Sequence, residues 1–312
     1  MPKSHPCALV LLCVVQGCER FAFLAMLPLF VLYLHHRHAF TEPSALLLLG
    51  VMSALSYVGG LPAGILADRK LGALGALLLG GALLTVGYGA LALDYPTLLW
   101  PALASMTVGH SLFKPSISSA VGKLYKPRDR RRDDAFSLFY VVFNLGSACG
   151  PLAGGFLRTA WGWSAAFAVA GLAMLFALAG GLLSYRWLTG TEQQHTEEAA
   201  APSKEVARSS WPIAAMVCVL IAGLLFTAVY EQTGQSLILW GRDCTRRSLL
   251  GYSFPASSLL GVPGLLVLGM QPLLNRALSA LSRRGDKPSL LVRIGIGLLF
   301  GVVAYVIMIV AA

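Results

Sequence analysis

The sequence carries little charge. Only 12% of its 312 residues are charged, whereas average soluble proteins carry roughly 25%. Hydrophobic residues make up 56% of the chain and form long blocks rather than alternating with polar residues. A helix needs roughly 20 apolar residues to cross a bilayer, and such blocks follow one another from residue 8 to the last residue. The composition excludes a soluble globular protein and predicts an all-α, multi-pass integral membrane protein.

Patterns typical of enzymes and metal sites are missing as well. The six cysteines form no CxxC pair and have no zinc-type spacing. The sequence contains no nucleophile triad and no nucleotide-binding loop. His35, His36 and His38 lie close together, but no acid or cysteine completes a metal site, so a solvated loop is expected there. We predict neither metal nor cofactor, and a membrane-embedded enzyme is the least favoured interpretation.

Acidic residues are scarce, with 14 Asp and Glu against 24 Lys and Arg. The net charge of +10 does not indicate nucleic-acid binding, because the basic residues lie between the apolar blocks. Most of them face the cytoplasm if the N-terminus is inside, which predicts a cell-membrane protein with a cytoplasmic N-terminus. The basic run at 126–132 is expected to contact anionic lipid. The sequence does not indicate an oligomeric state.

Charged or proline-containing breaks divide the chain into nine predicted spans. A polar stretch follows the sixth span, and its low hydrophobicity predicts a cytoplasmic linker. The predicted domains are a six-helix N-terminal bundle at 1–190, the linker at 191–211, and a partial C-terminal bundle of about three helices at 212–312. The spans are 8–34, 45–67, 72–93, 97–121, 135–158, 163–188, 212–240, 254–281 and 291–312.

The last residues of the chain, Val306 to Ala312, are still apolar and have no charged flank. An odd number of spans puts this end on the outer face of the membrane. We therefore expect a chain that is truncated at its C-terminus.

Ionisable residues at bilayer depth are the strongest functional signal, since each costs roughly 2.5–3.5 kcal/mol on insertion scales. Glu19 and Arg20 lie in the first span, Lys114 in the fourth and Glu231 in the seventh. Two acids and two bases suggest compensating pairs around a polar cavity. A purely structural ion pair between helices is the alternative. His110, one turn before Lys114, is a weaker candidate for proton transfer, and a packed or water-bonded histidine is favoured over that role.

Five segments, in order along the chain, resemble the proton-dependent oligopeptide transporters, the POT/PTR branch of the major facilitator superfamily. They correspond to the ExxERF motif, the superfamily loop between helices two and three, the FKPN segment, the FSxFYxxINxGS signature and the FEQxGxSL segment. The segments are Gln16 to Phe21, Gly60 to Gly72, Phe113 to Tyr125, Asp134 to Ser147, and Tyr230 to Leu237. The resemblance implies the superfamily fold, with six helices and about three helices of an incomplete second bundle.

The resemblance also implies a binding site for a zwitterionic peptide. Arg20 and Lys114 would hold the peptide carboxylate, with Tyr57 lining the same site. Glu231 and Asn144 would hold the peptide amine. Opposite charges across a cavity of low dielectric constant suit such a substrate.

Proton coupling is implied by the same family. An acid paired with Arg or Lys stays ionised, and losing that partner favours its protonation. Glu19 and Glu231 are the expected proton carriers, with Arg20 and Lys114 as their partners. No cofactor is implied beyond the proton gradient.

Gating residues are implied in the loop between the second and third helices. Asp68 and Arg69 are expected to cap the adjoining helices and to latch one state of the transporter.

This chain departs from the family at several positions. Gln16 stands where the family has an acid, Phe23 replaces a tyrosine, and Ser116 replaces the asparagine of the fourth-helix segment. The leading hypothesis is proton-coupled symport of di- or tripeptides or related zwitterions by alternating access. The alternatives are transport of another small solute such as nitrate, and a degenerate, non-transporting fragment that acts as a binding or scaffold protein.

Overall fold

The computed structural model describes residues 7–125, 129, 131–199, 217–218, 221–225, 227–228, 236–243, 248–249, 252–283 and 290–311. The chain divides into two compact units. The first consists of Met1–Arg208 with Arg247–Leu265, and the second of Ser209–Arg246 with Leu266–Ala312. The described residues of the candidate site lie within the first unit.

Six helices form the first unit. They are α1 (Cys7–His38), α2 (Glu42–Leu66), α3 (Gly72–Ala92), α4 (Leu99–Lys123), α5 (Arg131–Trp161) and α6 (Trp163–Ala199). Each coincides with one of the first six predicted spans. Helix α6 continues to Ala199, into the segment predicted as a linker, because the Glu, Gln and Ala residues there are good helix formers.

The first unit also contains a short element that the sequence did not predict. Strands β1 (Ser248–Leu249) and β2 (Tyr252–Ser253) form an antiparallel pair, and a 3₁₀ turn at Ala256–Leu260 follows them.

The second unit contains α7 (Ser236–Asp243), most of α8 (Gly261–Arg283) and α9 (Leu290–Ala311). The predicted seventh span, 212–240, is described only in part. The last two predicted spans coincide with α8 and α9. The predicted all-α fold is confirmed.

Four described stretches are long and apolar enough to cross a membrane: Cys7–His38, Glu42–Ala92, Asp134–Trp161 and Trp163–Tyr185. Glu42–Ala92 has 51 residues and includes both α2 and α3. Helix α4 is not among these stretches, because polar residues such as His110 and Lys114 lower its hydropathy. Helix α4, which carries the candidate site residue Lys114, is thus less apolar than these four stretches.

Helix α1 packs chiefly against α5 and α6, while α4 packs against α3 and α2. Three glycines on successive turns of α5 permit the contact with α1. A Cβ atom at Gly146, Gly150 or Gly154 would collide with the backbone of α1 near Gly17, Phe21 and Ala25, respectively. Small residues at such spacing allow helix backbones to approach closely in membranes.

Helices α2 and α3 meet at a single π turn, Ala67–Leu71, which ends at Gly72. The backbone of Gly72 has φ 69 and ψ 162, a combination that is essentially restricted to glycine. Asp68 and Arg69 lie exposed in this turn. Neither the π turn nor α3 has a side-chain cap at its N-terminus, and the predicted capping and latching by Asp68 and Arg69 stay predictions.

The first unit includes Arg247–Leu265, which the predicted boundaries placed in the C-terminal segment. Close packing against α5 explains this difference. A Cβ atom at Gly264 would contact the backbone of Asn144 and Ala148, and one at Gly261 would contact the Ala148 carbonyl oxygen.

Replacing Gly150 by leucine should separate α1 from α5. Overpacking of this kind costs about 1–3 kcal/mol, so the Gly150→Leu chain should unfold at a lower temperature in detergent than the wild type. The matched control is Gly50→Leu in α2, where an added Cβ has no atom within 4 Å. Equal melting temperatures for the two variants would contradict this packing.

Candidate functional site

A buried ion pair forms the centre of the candidate site. The Glu19 side chain is 1% exposed. Nε and Nη2 of Arg20 donate to its two carboxylate oxygens, each at 2.6 Å. Gln16 lies one turn earlier on α1 and donates to Glu19 Oε2 at 3.2 Å. Because an unpaired charge at this depth is costly, the two-point pairing allows Glu19 to remain ionised inside the bundle.

Two aromatic rings flank the Arg20 guanidinium. Its Cζ atom lies 5.1 Å from the centroid of the Phe23 ring and 5.0 Å from that of Phe143 on α5. Phe23 follows Arg20 by three residues, which places the two side chains on one face of α1. Phe143 reaches Arg20 because α5 approaches α1 closely at Gly146. The rings favour the cation through their π faces.

Lys114 on α4 contacts the same Phe23 ring. Its Nζ atom lies 5.2 Å from the Phe23 centroid and 4.9 Å from the centroid of Tyr57 on α2. The Phe23 ring therefore contacts both Arg20 and Lys114. Residues of α1, α2, α4 and α5 together form one cluster around these two cations.

The contact between α2 and α4 positions Tyr57 beside Lys114. Ser111 lies one turn before Lys114 in sequence and donates from Oγ to the Ser56 carbonyl oxygen of α2 at 3.2 Å. A Cβ atom at Gly59 would collide with this Ser111 side chain, so the two helices touch here. Tyr57 is 54% exposed, which makes the Lys114 side of the cluster accessible.

His110 lies on the same face of α4, four residues before Lys114. Its side chain is buried, and its ring packs edge-on against Phe23 at 5.0 Å between centroids. Nδ1 lies 3.5 Å from Glu19 Oε1. Within the described residues, neither ring nitrogen of His110 has a hydrogen-bond partner.

The other predicted site residues are placed differently. Asn144 is buried on α5, and its Nδ2 donates to the Tyr140 carbonyl oxygen of its own helix at 2.8 Å. Asp68 and Arg69 lie in the π turn between α2 and α3, whereas the ion pair lies on α1. Glu231 lies outside the described residues. The structure therefore brings together Glu19, Arg20, Lys114 and Tyr57 from the predicted set.

Sequence reasoning missed the two phenylalanines of the cluster. Phe23 was noted only as a replacement for tyrosine, and Phe143 only as part of a motif. The three-residue spacing of Arg20 and Phe23 on one helix was a signal from which the contact of Phe23 with Arg20 could be predicted. Phe143 gave no comparable signal, because its contact with Arg20 depends on how α5 packs against α1.

The cluster is suited to binding an anion. Arg20 and Lys114 supply two positive charges, while Glu19 supplies the single carboxylate found among the described residues around them. The Arg20 side chain is 12% exposed and Lys114 is half-buried. A carboxylate that approaches both cations in a site of low dielectric constant would be bound by charge-assisted hydrogen bonds.

Comparison with known proteins agrees with the helical architecture around this cluster. The sequence profile of the Major Facilitator Superfamily matches residues 9–312. The chain belongs to this superfamily. Its described helices and their apolar composition accordingly belong to a multi-pass membrane protein.

Curated relatives of this superfamily chain are peptide transporters. It is 27% identical over 379 residues to the peptide transporter YePEPT of Yersinia enterocolitica, a match that covers 99% of this chain and 74% of the relative. This alignment is longer than the 312-residue chain, so the Yersinia protein has additional residues within the matched region. A di-/tripeptide transporter of Lactococcus lactis is 30% identical over 246 residues, covering 75% of this chain and 48% of the relative.

Solved structures of the superfamily share the fold. A variant of the peptide transporter POT in complex with alafosfalin matches with a TM-score of 0.82 and 23% identity, covering 97% of this chain and 73% of that chain. A POT family transporter in complex with 5-aminolevulinic acid matches with a TM-score of 0.82 and 22% identity, covering 97% and 76%. The resemblance to proton-dependent oligopeptide transporters seen in the sequence is confirmed.

Removing one partner of the buried ion pair should destabilise the protein strongly. Arg20→Leu leaves the Glu19 carboxylate buried without its cation, and breaking such pairs costs about 3–5 kcal/mol. The matched control is the double variant Glu19→Gln with Arg20→Leu, which should recover much of the loss. Thermal unfolding in detergent measures both. A double variant no more stable than Arg20→Leu would contradict the pairing.

Proposed function

We propose that this protein is a secondary active transporter that imports di- or tripeptides, or related small zwitterions, together with protons. Alternating access to a midplane site would move the substrate across the membrane. The observation that carries the proposal is the cluster of Arg20 and Lys114 around Phe23, inside the helical bundle of the first unit. The similarity of the chain to peptide transporters supports a peptide rather than nitrate as the substrate, and transport rather than a scaffold role as the function. No enzymatic activity is proposed.

The substrate carboxylate would bind between Arg20 and Lys114. Both cations contact the Phe23 ring, so one carboxylate can approach them together. The accessible Tyr57 ring beside Lys114 would line the same site and offer a hydroxyl group to the substrate. The aromatic rings around the cations limit competing water and so strengthen the charge interaction.

The substrate amine would bind to Glu231 and Asn144, as the family resemblance implies. The Asn144 amide nitrogen already donates to Tyr140, which leaves its side-chain oxygen as the acceptor for an ammonium group. This part of the proposal rests on the motif of the seventh helix, since Glu231 lies outside the described residues.

Proton coupling would depend on exchange of partners around the carboxylates. Glu19 is held ionised by Arg20, and a substrate carboxylate that competes for Arg20 would favour its protonation. Glu231 would act as the second proton carrier, with Lys114 taking part in the exchange. We propose the N-terminus on the cytoplasmic side of the cell membrane, where the basic run at 126–132 would contact anionic lipid.

Uptake by proteoliposomes tests the substrate site. Under an imposed inward proton gradient, the wild-type chain should accumulate labelled dialanine, and Lys114→Ala should reduce the initial rate at least about tenfold, because a charge contact to the carboxylate is lost. The matched control is Arg158→Ala on α5, whose guanidinium stacks on Trp163 at 4.5 Å. Equal uptake by the wild type and Lys114→Ala would exclude this site.

The coupling proposal has a separate test. Glu231→Gln removes one of the two proposed proton carriers and a charge contact to the substrate amine, so its gradient-driven uptake should fall sharply, while exchange of labelled for unlabelled dialanine at equal pH should continue at a reduced rate. Dissipating the gradient should lower wild-type uptake to the level of this variant. Gradient-driven accumulation by Glu231→Gln equal to the wild type would argue against the assigned carrier.

A further inference from the structure

The proposed transport cycle leaves the buried imidazole of His110 without a role. His110 is 4% exposed and lies in the centre of the site. A buried imidazole without hydrogen bonds is unfavourable, and such groups in native proteins call for an explanation. Within the described residues, both of its nitrogens lack a partner, as does the buried hydroxyl of Tyr88 on α3.

The position of His110 relative to Glu19 suggests what this imidazole does. The distance of 3.5 Å between Nδ1 and Glu19 Oε1 is longer than a normal hydrogen bond, which has about 2.9–3.0 Å between heavy atoms. A small approach would make the bond, and Nδ1 would then donate to the carboxylate. The Oε1 atom is the same oxygen that accepts from Arg20 Nη2 at 2.6 Å.

His110 and Arg20 therefore approach the same carboxylate oxygen, which has two lone pairs and can accept from both. A second proton on the ring makes His110 a cation that donates from both nitrogens. Bonding of that cation to Oε1 weakens the contact between Glu19 and Arg20 Nη2. The guanidinium is then able to turn one donor toward a substrate carboxylate while Nε still holds Glu19.

The charges around His110 link this proton to the substrate. The groups that act on it from α1 are Glu19 and Arg20, and Lys114 acts on it from its own helix. Tyr88 of α3 and Tyr57 of α2 act on Arg20 at the edges of the cluster. The positive charges of Arg20 and Lys114 both oppose a further positive charge on His110. A bound substrate carboxylate cancels one positive charge and so favours the proton.

We propose that His110 binds the proton that accompanies carboxylate binding at Arg20 and Lys114, and that it replaces the acid missing at Gln16. This inference rests on the proposed function and adds a residue to it. By linkage, the substrate increases the proton affinity of His110 as much as the proton increases substrate affinity.

Calorimetric titration of the full chain with dialanine in detergent tests the proposal. Titrations in buffers of different ionisation enthalpy give the number of protons taken up per dipeptide bound. Between pH 8 and pH 5, where histidines change charge, the wild type should bind more tightly as the pH falls, by up to about tenfold per pH unit for one linked proton. The His110→Gln chain should take up about one proton fewer per dipeptide bound. Its affinity for dialanine should lose the part of the pH dependence that this proton causes.

The matched control is His38→Gln at the outer end of α1. This histidine also has a buried ring nitrogen without a partner in the described part of the chain, and its ring packs edge-on against Tyr33 at 5.0 Å. His38 is the last residue of α1, whereas Lys114 lies on α4. The His38→Gln chain should therefore bind dialanine and take up the same number of protons as the wild type. A second variant, His110→Thr, is measured in parallel, and its smaller side chain leaves room for water beside Glu19. Because two different variants are compared, the result does not depend on whether one of them has a folding defect.

The outcomes separate the two proposals. A wild-type proton count in His110→Gln or His110→Thr, with dialanine still bound, overturns the role of His110 and leaves the transport proposal intact. A wild-type chain that binds no dipeptide overturns the proposed function and this inference with it.

Discussion

The charge of Glu19, buried within a bundle of apolar helices, is the constraint on which the rest of the site depends. An ion at such depth is stable only when its partners satisfy it, and here Arg20 does so through two hydrogen bonds. The pair fixes the orientation of Arg20, whose guanidinium lies between Phe23 and Phe143. The proposed binding cation is thus held in place before any substrate arrives.

Helix packing makes this arrangement possible. The glycines at 146, 150 and 154 bring α5 against α1, while Gly59 and Ser111 bring α2 against α4. These contacts place residues of four helices around Arg20 and Lys114, and the two cations share one aromatic neighbour, Phe23. The same ring packs against His110, which connects the substrate side of the cluster with a group able to bind a proton.

The sequence predicted the helices of the first unit because each is an apolar block bounded by charge or proline. It also predicted that Glu19, Arg20 and Lys114 belong together, since ionisable residues at bilayer depth require partners. It could not predict that the polar segment between α2 and α3 forms a π turn that ends at Gly72 with a backbone conformation restricted to glycine. The contacts of Phe23 with Lys114 and His110 depend on how α1 packs against α4, which no local pattern encodes.

The most direct measurement of the central claim is an experimental structure of the chain in lipid with dialanine bound. The account predicts the terminal carboxylate of the dipeptide within about 4 Å of both the Arg20 guanidinium and the Lys114 ammonium group, beside the Phe23 ring. A dipeptide bound elsewhere, or Arg20 and Lys114 directed toward lipid on separate faces of the bundle, would contradict it.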